Sequence, residues 1–476
     1  MNQQAEYEIC VIGGGAAGLV VAAGAATLGT KVALIEKNAL GGDCLHYGCV
    51  PSKSLVHCAK VAYTITDAER FGIPAQAPAV HLPEVMQRVQ SVIKQIEPND
   101  SPERFRELGV EIMFGEGKFT SPHTFNVQGK EIHAKNFVIA TGTRPAIPPL
   151  PGIEQTPYLT NETLFSIQEP IPHLLILGGG PIGCEMAQAL ARLGTRIDLF
   201  DLAPRLLPRE DEDISTVLAE RFKQEGITLH LGIKVLQVER SNNETKVLLE
   251  HPKQGQYWLS GSHLLIAAGR KPNLENLGLE QADVELKNGK LVVDTRMRTS
   301  NKHIYACGDV VGPYLFTHMA EHQAGVVLRN ALFHWPAKTQ TQNIPWCTYT
   351  DPELSRIGLS EAEAQQQNIS HRVYRFPFSD IDRAVTEGET QGFAKIITTP
   401  RGKLLGACIV GPHAGELIAE YGLAISKGMK ASDLSNTIHI YPTLAQINRR
   451  VADQRLKDAL TPTRQRWLKY LFGWQA

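Results

Sequence analysis

The sequence lacks both a long apolar run and an excess of positive charge. Its 476 residues carry 48 Lys and Arg against 49 Asp and Glu, with no basic stretch of the kind that grips nucleic-acid phosphates. We therefore expect no nucleic-acid partner. The apolar segment near the start is acidic at Glu6 and Glu8, where a signal peptide is positively charged, and glycines interrupt it. We predict a cytoplasmic protein.

Cysteine is also scarce, at eight residues. Most cysteines lie singly in apolar runs, as Cys10, Cys307 and Cys408 do, and are expected to be small core residues. Cys44 and Cys49 alone stand close together in the sequence. In a cytoplasmic chain, a single close pair suggests redox chemistry or metal binding before it suggests a structural disulfide.

The 41 glycines gather in motifs, and two of these motifs open similar units. Each unit reads strand, Gly-rich turn, helix, second strand and terminal acid. The first unit begins at Tyr7 and ends at Glu36, and the second begins near His173 and ends at Asp201. A repeat at the distance of a domain favours two nucleotide-binding domains over a solenoid. From about Ile344, strand-like and helical runs alternate as in an α+β domain.

Both turns have the spacing G-x-G-x-x-G, formed by Gly13, Gly15 and Gly18 in the first unit and by Gly178, Gly180 and Gly183 in the second. Such glycines allow a tight turn and close approach of the backbone to a pyrophosphate at a helix N-terminus. Glu36 and Asp201 stand where a carboxylate accepts hydrogen bonds from ribose hydroxyls. Asp201 favours NADH because it would repel the 2′-phosphate of NADPH, although Arg205 lies four residues on. Turns that serve only to end a strand are the alternative.

The cysteine pair lies in the string GGDCLHYGCVPSKSL, residues 41 to 55. Two thiols at this spacing on one helical turn can close a small disulfide, and a helix N-terminus with a nearby cation lowers the pKa of a thiol. Zinc and two unrelated buried cysteines are the alternatives. Zinc wants four ligands, and no second Cys/His pair stands at a suitable spacing.

Taken together, these motifs resemble the class I pyridine nucleotide–disulfide oxidoreductases, the group of dihydrolipoyl dehydrogenase, glutathione reductase and mercuric reductase. The likeness covers nearly the whole chain, in the family's order. Besides the glycine motifs and the cysteine string, it rests on ATGTRP (140–145), AAGRKPN (267–273), IYACGDV (304–310), TDPELSRIGLSEAEA (350–364) and IYPT (440–443).

The resemblance implies an α/β fold with two Rossmann-like dinucleotide-binding domains, for FAD and NAD, and a C-terminal α+β dimerisation domain. The expected divisions are a FAD-binding domain at 1–149, an NAD(P)-binding domain at 150–272, a central segment completing the FAD site at 273–340, and the dimerisation domain at 341–476. A homodimer follows, because in this family the C-terminal domain completes the partner's site.

The resemblance also implies residue roles. FAD would sit on the first glycine motif and Glu36, with Thr141 and Gly142 nearby and Asp309 holding the ribityl chain. NADH, or NADPH, would sit on the second motif, with Gly269 nearby. Cys49 would be the charge-transfer thiol against the flavin, and Cys44 the interchange thiol that meets the substrate.

Lys53 would lie near flavin N5 and pair with Glu185, since a cation there stabilises reduced, anionic flavin. Two solvated helix charges are the alternative for this pair. The acceptor would be a disulfide, a thiol-bound metal ion such as Hg(II), or a quinone or other small oxidant. No resident metal is expected.

The string HIYPTLAQINRR departs from the family pattern. In the family, a His followed by Pro acts as an acid–base group across the dimer, and a Glu orients it; here Tyr441 and Gln446 occupy those places, and His439 is two residues early. A phenol with a pKa near 10 stays protonated where imidazole shuttles protons. We therefore expect poor turnover of dihydrolipoamide and glutathione.

A Tyr at this place resembles mercuric reductase, which makes a mercuric-reductase-like member the nearest type. That enzyme carries a cysteine pair near its C-terminus, and no cysteine follows Cys408 here. Two rival functions stay open. One is an NADH oxidase or transhydrogenase whose chemistry ends at the flavin, and the other is a non-catalytic, redox-sensing flavoprotein.

The final stretch, TPTRQRWLKYLFGWQA, interleaves aromatic and basic residues. A terminal helix packed on the partner subunit is one interpretation. A helix that contacts a membrane surface or another protein is the second, since exposed Trp with Lys and Arg suits a headgroup layer.

Overall fold

Residues 6–76 and 78–474 are described by a computed structural model. Residues 1–5, 77, 475 and 476, which include the ends of the predicted segments 1–149 and 341–476, lie outside the described residues. The described residues form six sheets: a mainly parallel sheet of seven strands, a parallel sheet of four, antiparallel sheets of five and three, and two two-stranded ribbons. Helices pack on the larger sheets.

The N-terminal unit is built on a mainly parallel sheet whose central strand is largely apolar. Ile9, Cys10 and Val11 of that strand are fully buried, as expected for a strand covered on both faces. The strands are β1 (Tyr7–Ile12), β2 (Val32–Glu36), β3 (Val110–Phe114), β4 (Gly117–Ser121), β5 (Thr124–Val127), β6 (Lys130–Ile139) and β7 (Thr143–Pro145). The helices are α1 (Ala16–Thr27), α2 (Gly42–His46), α3 (Cys49–Thr66), α4 (Leu82–Ile96) and α5 (Pro102–Glu107).

Strands β3, β2, β1 and β6 pair in that order and all run parallel. Strands β5 and β4 extend the sheet beyond β6 as an antiparallel arm. Ile9 pairs with both Val32 and Asn136, which fixes the register at the centre of the sheet. The carboxyl ends of β1, β2 and β6 therefore meet at one edge, where Glu36 ends β2 and where Gly13 and Ala140 follow β1 and β6.

The second unit repeats this plan with the parallel order β10-β9-β8-β14 and a separate antiparallel sheet of β11, β12 and β13. Its strands are β8 (His173–Leu177), β9 (Arg196–Asp201), β10 (Thr228–Leu231), β11 (Lys234–Ser241), β12 (Glu244–His251), β13 (Gly255–Gly261), β14 (His263–Ile266) and β15 (Arg270–Pro272). Its helices are α6 (Asn161–Leu164), α7 (Pro181–Arg192) and α8 (Glu212–Gln224). Strand β15 pairs with β7 and so joins the second unit to the first.

The following segment returns to the first unit. It contains β16 (Leu286–Lys287), β17 (Lys290–Leu291), β18 (Ile304–Ala306) and α9 (Thr317–Leu332). Strand β18 adds to the first sheet in parallel beside β6. Helix α9 packs on the Ala-rich helix α1 so closely that a Cβ on Gly24 would lie 2.5 Å from Leu328 Cδ1.

The C-terminal part is an α+β unit on an antiparallel sheet in the order β19-β20-β23-β22-β21. The strands are β19 (Trp346–Thr348), β20 (Glu353–Gly358), β21 (Arg372–Pro377), β22 (Phe393–Thr398) and β23 (Leu404–Gly411). The helices are α10 (Glu361–Gln366), α11 (Asp382–Glu387), α12 (Ala414–Ser426), α13 (Ala431–Asn436), α14 (Gln446–Ala459) and α15 (Pro462–Phe472). Short 3-10 helices span Ala68–Phe71, Glu97–Asp100, Ile153–Gln155 and Phe378–Asp380.

The fold class that the sequence predicts, two Rossmann-like units and an α+β unit, is confirmed by this arrangement. Cys10, Cys307 and Cys408 are buried core residues. One local prediction is wrong: Cys44 and Cys49 do not share a helical turn. Cys44 lies in α2, and a new helix, α3, begins at Cys49 after a break at Gly48 (φ −121°, ψ −110°).

Candidate active site

The first glycine turn lies at the carboxyl edge of the parallel sheet and has the shape of a pyrophosphate cradle. Gly13 has φ +108°, and a Cβ there would clash with the carbonyl of Ala140. A Cβ on Gly18 would clash with the carbonyl oxygen of Gly13, because α1 crosses the turn in close contact. Gly15 caps the N-terminus of α1, where free backbone N–H groups favour an anion.

Glu36 completes this turn from the end of β2. Its carboxylate accepts the N–H of Gly14 at 2.7 Å and the N–H of Asn38 at 2.8 Å. Each carboxylate oxygen keeps a further lone pair, so a diol can still donate to it. The residues therefore fit the adenosine ribose and pyrophosphate of a dinucleotide such as FAD.

The second glycine turn has the same backbone geometry and the same close contacts as the first. Gly178 has φ +121°, and a Cβ there would clash with the carbonyl of Ala267; a Cβ on Gly183 would clash with the carbonyl oxygen of Gly178. Asp201 takes the place of Glu36 and accepts the N–H of Gly179 at 2.5 Å and that of Ala203 at 2.7 Å. Gly180 caps α7, as Gly15 caps α1.

Arg205, four residues after the second turn's acid, bonds carbonyl groups of its own loop through one guanidinium nitrogen. It donates to the carbonyl oxygens of Pro208 at 3.1 Å and Glu210 at 3.3 Å.

The loops after β6 and β14 are locked together. The Thr141 hydroxyl donates to the Asn273 carbonyl at 2.7 Å, and the Asn273 amide donates back to the Thr141 carbonyl at 2.9 Å. The Gly142 carbonyl accepts the N–H of Asn273, and the Gly269 carbonyl accepts the N–H of Ala146, both at 3.0 Å. Thr141, Gly142 and Gly269 therefore form one crossover between the two nucleotide units.

Asp309 lies beside this crossover, after β18. It accepts the Thr143 hydroxyl at 3.2 Å, and burial raises the pKa of its carboxyl although Arg270 opposes that shift. Arg270 donates to Thr143 Oγ1 at 2.7 Å and lies 3.1 Å from Asp43. Asp43 directly precedes Cys44, so this chain of contacts links the Asp309 loop to the cysteine pair.

The cysteine pair is bridged by a hydroxyl from a distant helix. Thr317, the first residue of α9, donates to Cys44 Sγ at 3.3 Å, and its oxygen lies 3.7 Å from Cys49 Sγ. Both cysteines are present as free thiols, Cys44 half-buried and Cys49 exposed. A polar group shared by two sulfur atoms can stabilise whichever of them carries charge.

The two thiols have opposite acidities. The pKa of Cys49 is lowered to about 6 by a hydrogen bond from Cys44, with help from Thr317 and Lys53 and against the effect of burial. The pKa of Cys44 is raised, first by its hydrogen bond to Cys49 and then by burial. The pair therefore holds one proton at neutral pH, with the negative charge on Cys49.

Lys53 lies one turn after Cys49 on α3 and faces α7. Its Nζ is 2.8 Å from Glu185 Oε2 and 4.6 Å from the ring centre of Tyr349. The other oxygen of Glu185 accepts the N–H of Tyr349 at 3.0 Å. Glu185 is buried at 4% exposure, so its charge depends on these two partners.

Tyr441 does not reach the cysteine pair of its own protomer. It is exposed, and its hydroxyl donates to Asp382 at 2.9 Å, a bond that raises the pKa of the phenol. Gln446 donates to the carbonyls of His439 and Ile440 and so shapes the loop. His439 is engaged by Glu420 at 3.0 Å.

Sequence reasoning missed Thr317, Arg270 and Asp43. Thr317 is 268 residues from Cys49, and its neighbours in the string LFTHMA give no sign of contact with sulfur. Arg270 and Asp43 each stand inside a motif, AAGRKPN and GGDC, and that placement is the signal that could have found them.

Among residues 6–76 and 78–474, no group of three or more His, Cys, Asp or Glu is arranged to hold a metal ion. Within the same residues, no helix has the length and apolar character needed to cross a bilayer.

Comparison with known proteins agrees with this geometry. The family model for pyridine nucleotide-disulphide oxidoreductases matches residues 7–324, and the model for the dimerisation domain of the same family matches residues 344–451. The chain therefore belongs to the pyridine nucleotide-disulphide oxidoreductase family. Membership makes it a flavoprotein disulfide oxidoreductase with FAD and a pyridine nucleotide as cofactors.

Similar curated proteins carry different activities. Dihydrolipoyl dehydrogenase from Bacillus subtilis is 32% identical over 93% of this chain and 96% of the relative. Mercuric reductase from Staphylococcus aureus is also 32% identical, over 94% of this chain and 82% of the relative. Sequence identity alone therefore does not choose between these two acceptors.

Similar solved structures cover the chain as fully. The Cu(II) complex of the HOCl-induced flavoprotein disulfide reductase RclA from Escherichia coli has a TM-score of 0.84 at 29% identity, covering 95% of this chain and 100% of that one. LpdA from Mycobacterium tuberculosis has a TM-score of 0.85 at 26% identity, covering 94% and 99%.

Proposed function

We propose that this protein is an NADH-dependent flavoprotein reductase that delivers electrons through Cys44 and Cys49 to a thiol-bound metal ion or another small oxidant. The observation that carries the proposal is the hydrogen-bonded cluster of Cys44, Cys49 and Thr317 beside the ammonium of Lys53. Such a cluster sets one thiol as a thiolate at neutral pH and keeps the other for exchange.

FAD, held by the first glycine turn, Glu36 and the Asp309 loop, would supply the hydride acceptor that connects the nicotinamide to the disulfide. The second turn and Asp201 would bind the nicotinamide dinucleotide. The carboxylate of Asp201 and the engagement of Arg205 with its own loop both favour NADH. Lys53 would hold a positive charge at the reacting edge of the cofactor, and Glu185 would keep that ammonium in place.

Oxidation of the dithiol by a metal ion requires no acid–base group to protonate the acceptor. Cys44 and Cys49 lose two electrons and close a disulfide, and the proton that they share leaves to solvent. The two electrons reduce one Hg(II) to Hg(0) or two Cu(II) to two Cu(I). A metal that binds sulfur displaces the proton of Cys44 itself, because a coordinating thiol is deprotonated.

Tyr441 favours such an acceptor over a disulfide. Reduction of a disulfide releases a thiol that needs a proton, which an imidazole supplies at neutral pH. A phenol bonded to Asp382, with its pKa raised, gives up no proton under those conditions. The similar reductase from Escherichia coli was solved as a Cu(II) complex, which supports a metal ion as the first acceptor to test.

A homodimer is part of the proposal. The Tyr441 loop exposes two large apolar side chains, Ile438 at 94% and Ile440 at 78% exposure. Exposed apolar patches of this kind mark interfaces, and the dimerisation domain includes them. A partner's Tyr441 would then approach the Cys44 side of each site.

The proposal is tested by measuring anaerobic NADH oxidation with Cu(II), Hg(II), lipoamide, glutathione disulfide and a quinone as separate acceptors. We expect metal reduction to exceed disulfide reduction at least ten-fold, and Cys44→Ser to remove it. Metal reduction that survives in Cys44→Ser would show that electrons leave from the flavin, as in an oxidase or transhydrogenase. Fast lipoamide turnover would overturn the choice of acceptor.

A further inference from the structure

The chain ends in a helix that belongs to neither nucleotide unit. The dimerisation-domain match ends at residue 451, and α15 lies beyond it at Pro462–Phe472, begun by a Thr461 side-chain cap on the Arg464 N–H. No residue of this helix is buried within the described part of the chain. Arg464 and Gln465 bond the carbonyls of Ala459 and Leu460, which are local partners.

The exposed side chains of α15 are large and apolar. Tyr470 is 82% exposed, Leu471 67%, Phe472 64% and Trp467 61%, followed by Trp474 at 58%. Their ring–ring pairs are local, Trp467 with Tyr470 edge-on and Phe472 with Trp474 stacked. Exposed apolar surface of this kind is typical of a site that binds a membrane or another protein.

Helix α15 is amphipathic. With about 100° of rotation per residue, Trp467, Leu468 and Leu471 fall together, flanked by Tyr470 and Phe472. The opposite face is polar and consists of Gln465, Arg466 and Lys469. Basic side chains therefore border a wide aromatic face, as in helices that lie in a headgroup layer.

Charge complementarity selects the partner. From Gln446 to the last residue, the sequence has seven Lys and Arg but only two acidic residues, and no acidic residue follows Asp458. The whole chain, by contrast, has a net charge of −1. An anionic surface is attracted to this end of the molecule and repelled by the rest. At eleven residues, α15 is too short to span a bilayer.

We propose that α15 is an interfacial anchor that binds an anionic lipid surface, with its aromatic face in the acyl boundary and Arg466 and Lys469 on the headgroups. The FAD-containing domains would then sit at that surface, which places the reductase beside acceptors that partition there. The anchor stands apart from the choice of acceptor and from the cysteine chemistry.

The test uses the full-length holoenzyme in co-sedimentation with vesicles of phosphatidylcholine alone or mixed with phosphatidylglycerol. We expect binding to the mixed vesicles and little to the neutral ones. Arg466→Gln and Lys469→Gln together should weaken binding roughly 25-fold, at about five-fold per cation. Arg466→Lys, which keeps the charge, should preserve binding.

A matched pair of tryptophan variants checks the apolar face. Trp467→Ser should reduce vesicle binding at least ten-fold, whereas Trp335→Ser, at a site exposed to a similar degree (67% against 61%), should not. All variants should keep their flavin absorbance and their reduction by NADH. Equal binding to both vesicle types, or no binding to either, would overturn the proposal. The helix would then be expected to pack on the partner subunit or on another protein.

Discussion

The ammonium of Lys53 lies 2.8 Å from the buried carboxylate of Glu185, and this ion pair joins the helix that begins at Cys49 to the second nucleotide unit. The contact spans 132 residues of sequence. It fixes α3 against α7, so Cys49 at the start of α3 is held in place relative to the helix that follows the second glycine turn.

Removal of one partner of this pair should destabilise the fold more than removal of both. Lys53→Met leaves Glu185 buried without its cation, at a cost of roughly 1–3 kcal/mol, below the usual range for buried pairs because Lys53 is 37% exposed. Glu185→Gln keeps the bond to the Tyr349 N–H. Urea unfolding of Lys53→Met, Glu185→Gln and the double variant should give a coupling energy of about 1 kcal/mol or more. Additive effects would contradict the pairing.

The cysteine pair should titrate as a unit with a low first step. Because the pKa of Cys49 is about 6, its thiolate is present at neutral pH and is lost as the pH falls through that value. In the two-electron-reduced enzyme, contact between the Cys49 thiolate and oxidised FAD should give a broad long-wavelength absorbance band. This band should therefore disappear on acidification with a midpoint near pH 6. A midpoint above 8 would mean that the cluster does not stabilise the thiolate.

Thr317 should control that midpoint. Thr317→Val removes the hydroxyl shared by both sulfur atoms and should raise the apparent pKa by about one unit, the effect of one hydrogen bond to a charged group. Thr317→Ser restores the donor and should restore the midpoint. The titration separates this role from a packing effect, which would alter thermal stability in both variants and leave the pKa in place.

The two acids at the ends of β2 and β9 should affect different cofactors. Asp201→Asn keeps an acceptor for the Gly179 N–H but removes the charge, so kcat/KM for NADPH should rise about ten-fold relative to NADH. Glu36→Gln, the matched change in the first unit, should weaken retention of FAD and leave the nicotinamide preference unchanged. A change of preference in Glu36→Gln would exchange the two assignments.

Restoring an imidazole should broaden the acceptor range. The double variant Tyr441→His with Gln446→Glu supplies the acid–base pair that the chain lacks and should raise lipoamide turnover at least ten-fold near pH 7. Tyr441→Phe, which removes only the bond to Asp382, is the control and should leave lipoamide turnover low. No gain in the double variant would mean that the Tyr441 loop does not complete a partner's site.

Local patterns in the sequence were enough for the fold class and the glycine turns, because G-x-G-x-x-G and its terminal acid lie within one βαβ unit. The helix break between Cys44 and Cys49 was not predicted, since Gly48 adopts a backbone conformation that composition does not reveal. The role of Thr317 could not be predicted from the sequence, for a different reason. Its contact with the sulfur atoms depends on how α9 packs against the first unit, which is a tertiary relationship.

The central claim is that Cys44 and Cys49 form a live redox pair with the thiolate on Cys49. Anaerobic titration of the purified holoenzyme with NADH, followed by its absorbance spectrum, tests it most directly. The account predicts a broad long-wavelength band after two electrons in the wild type and its absence in Cys49→Ser. Direct bleaching of the flavin in the wild type, without that band, would contradict the claim and indicate chemistry that ends at the flavin.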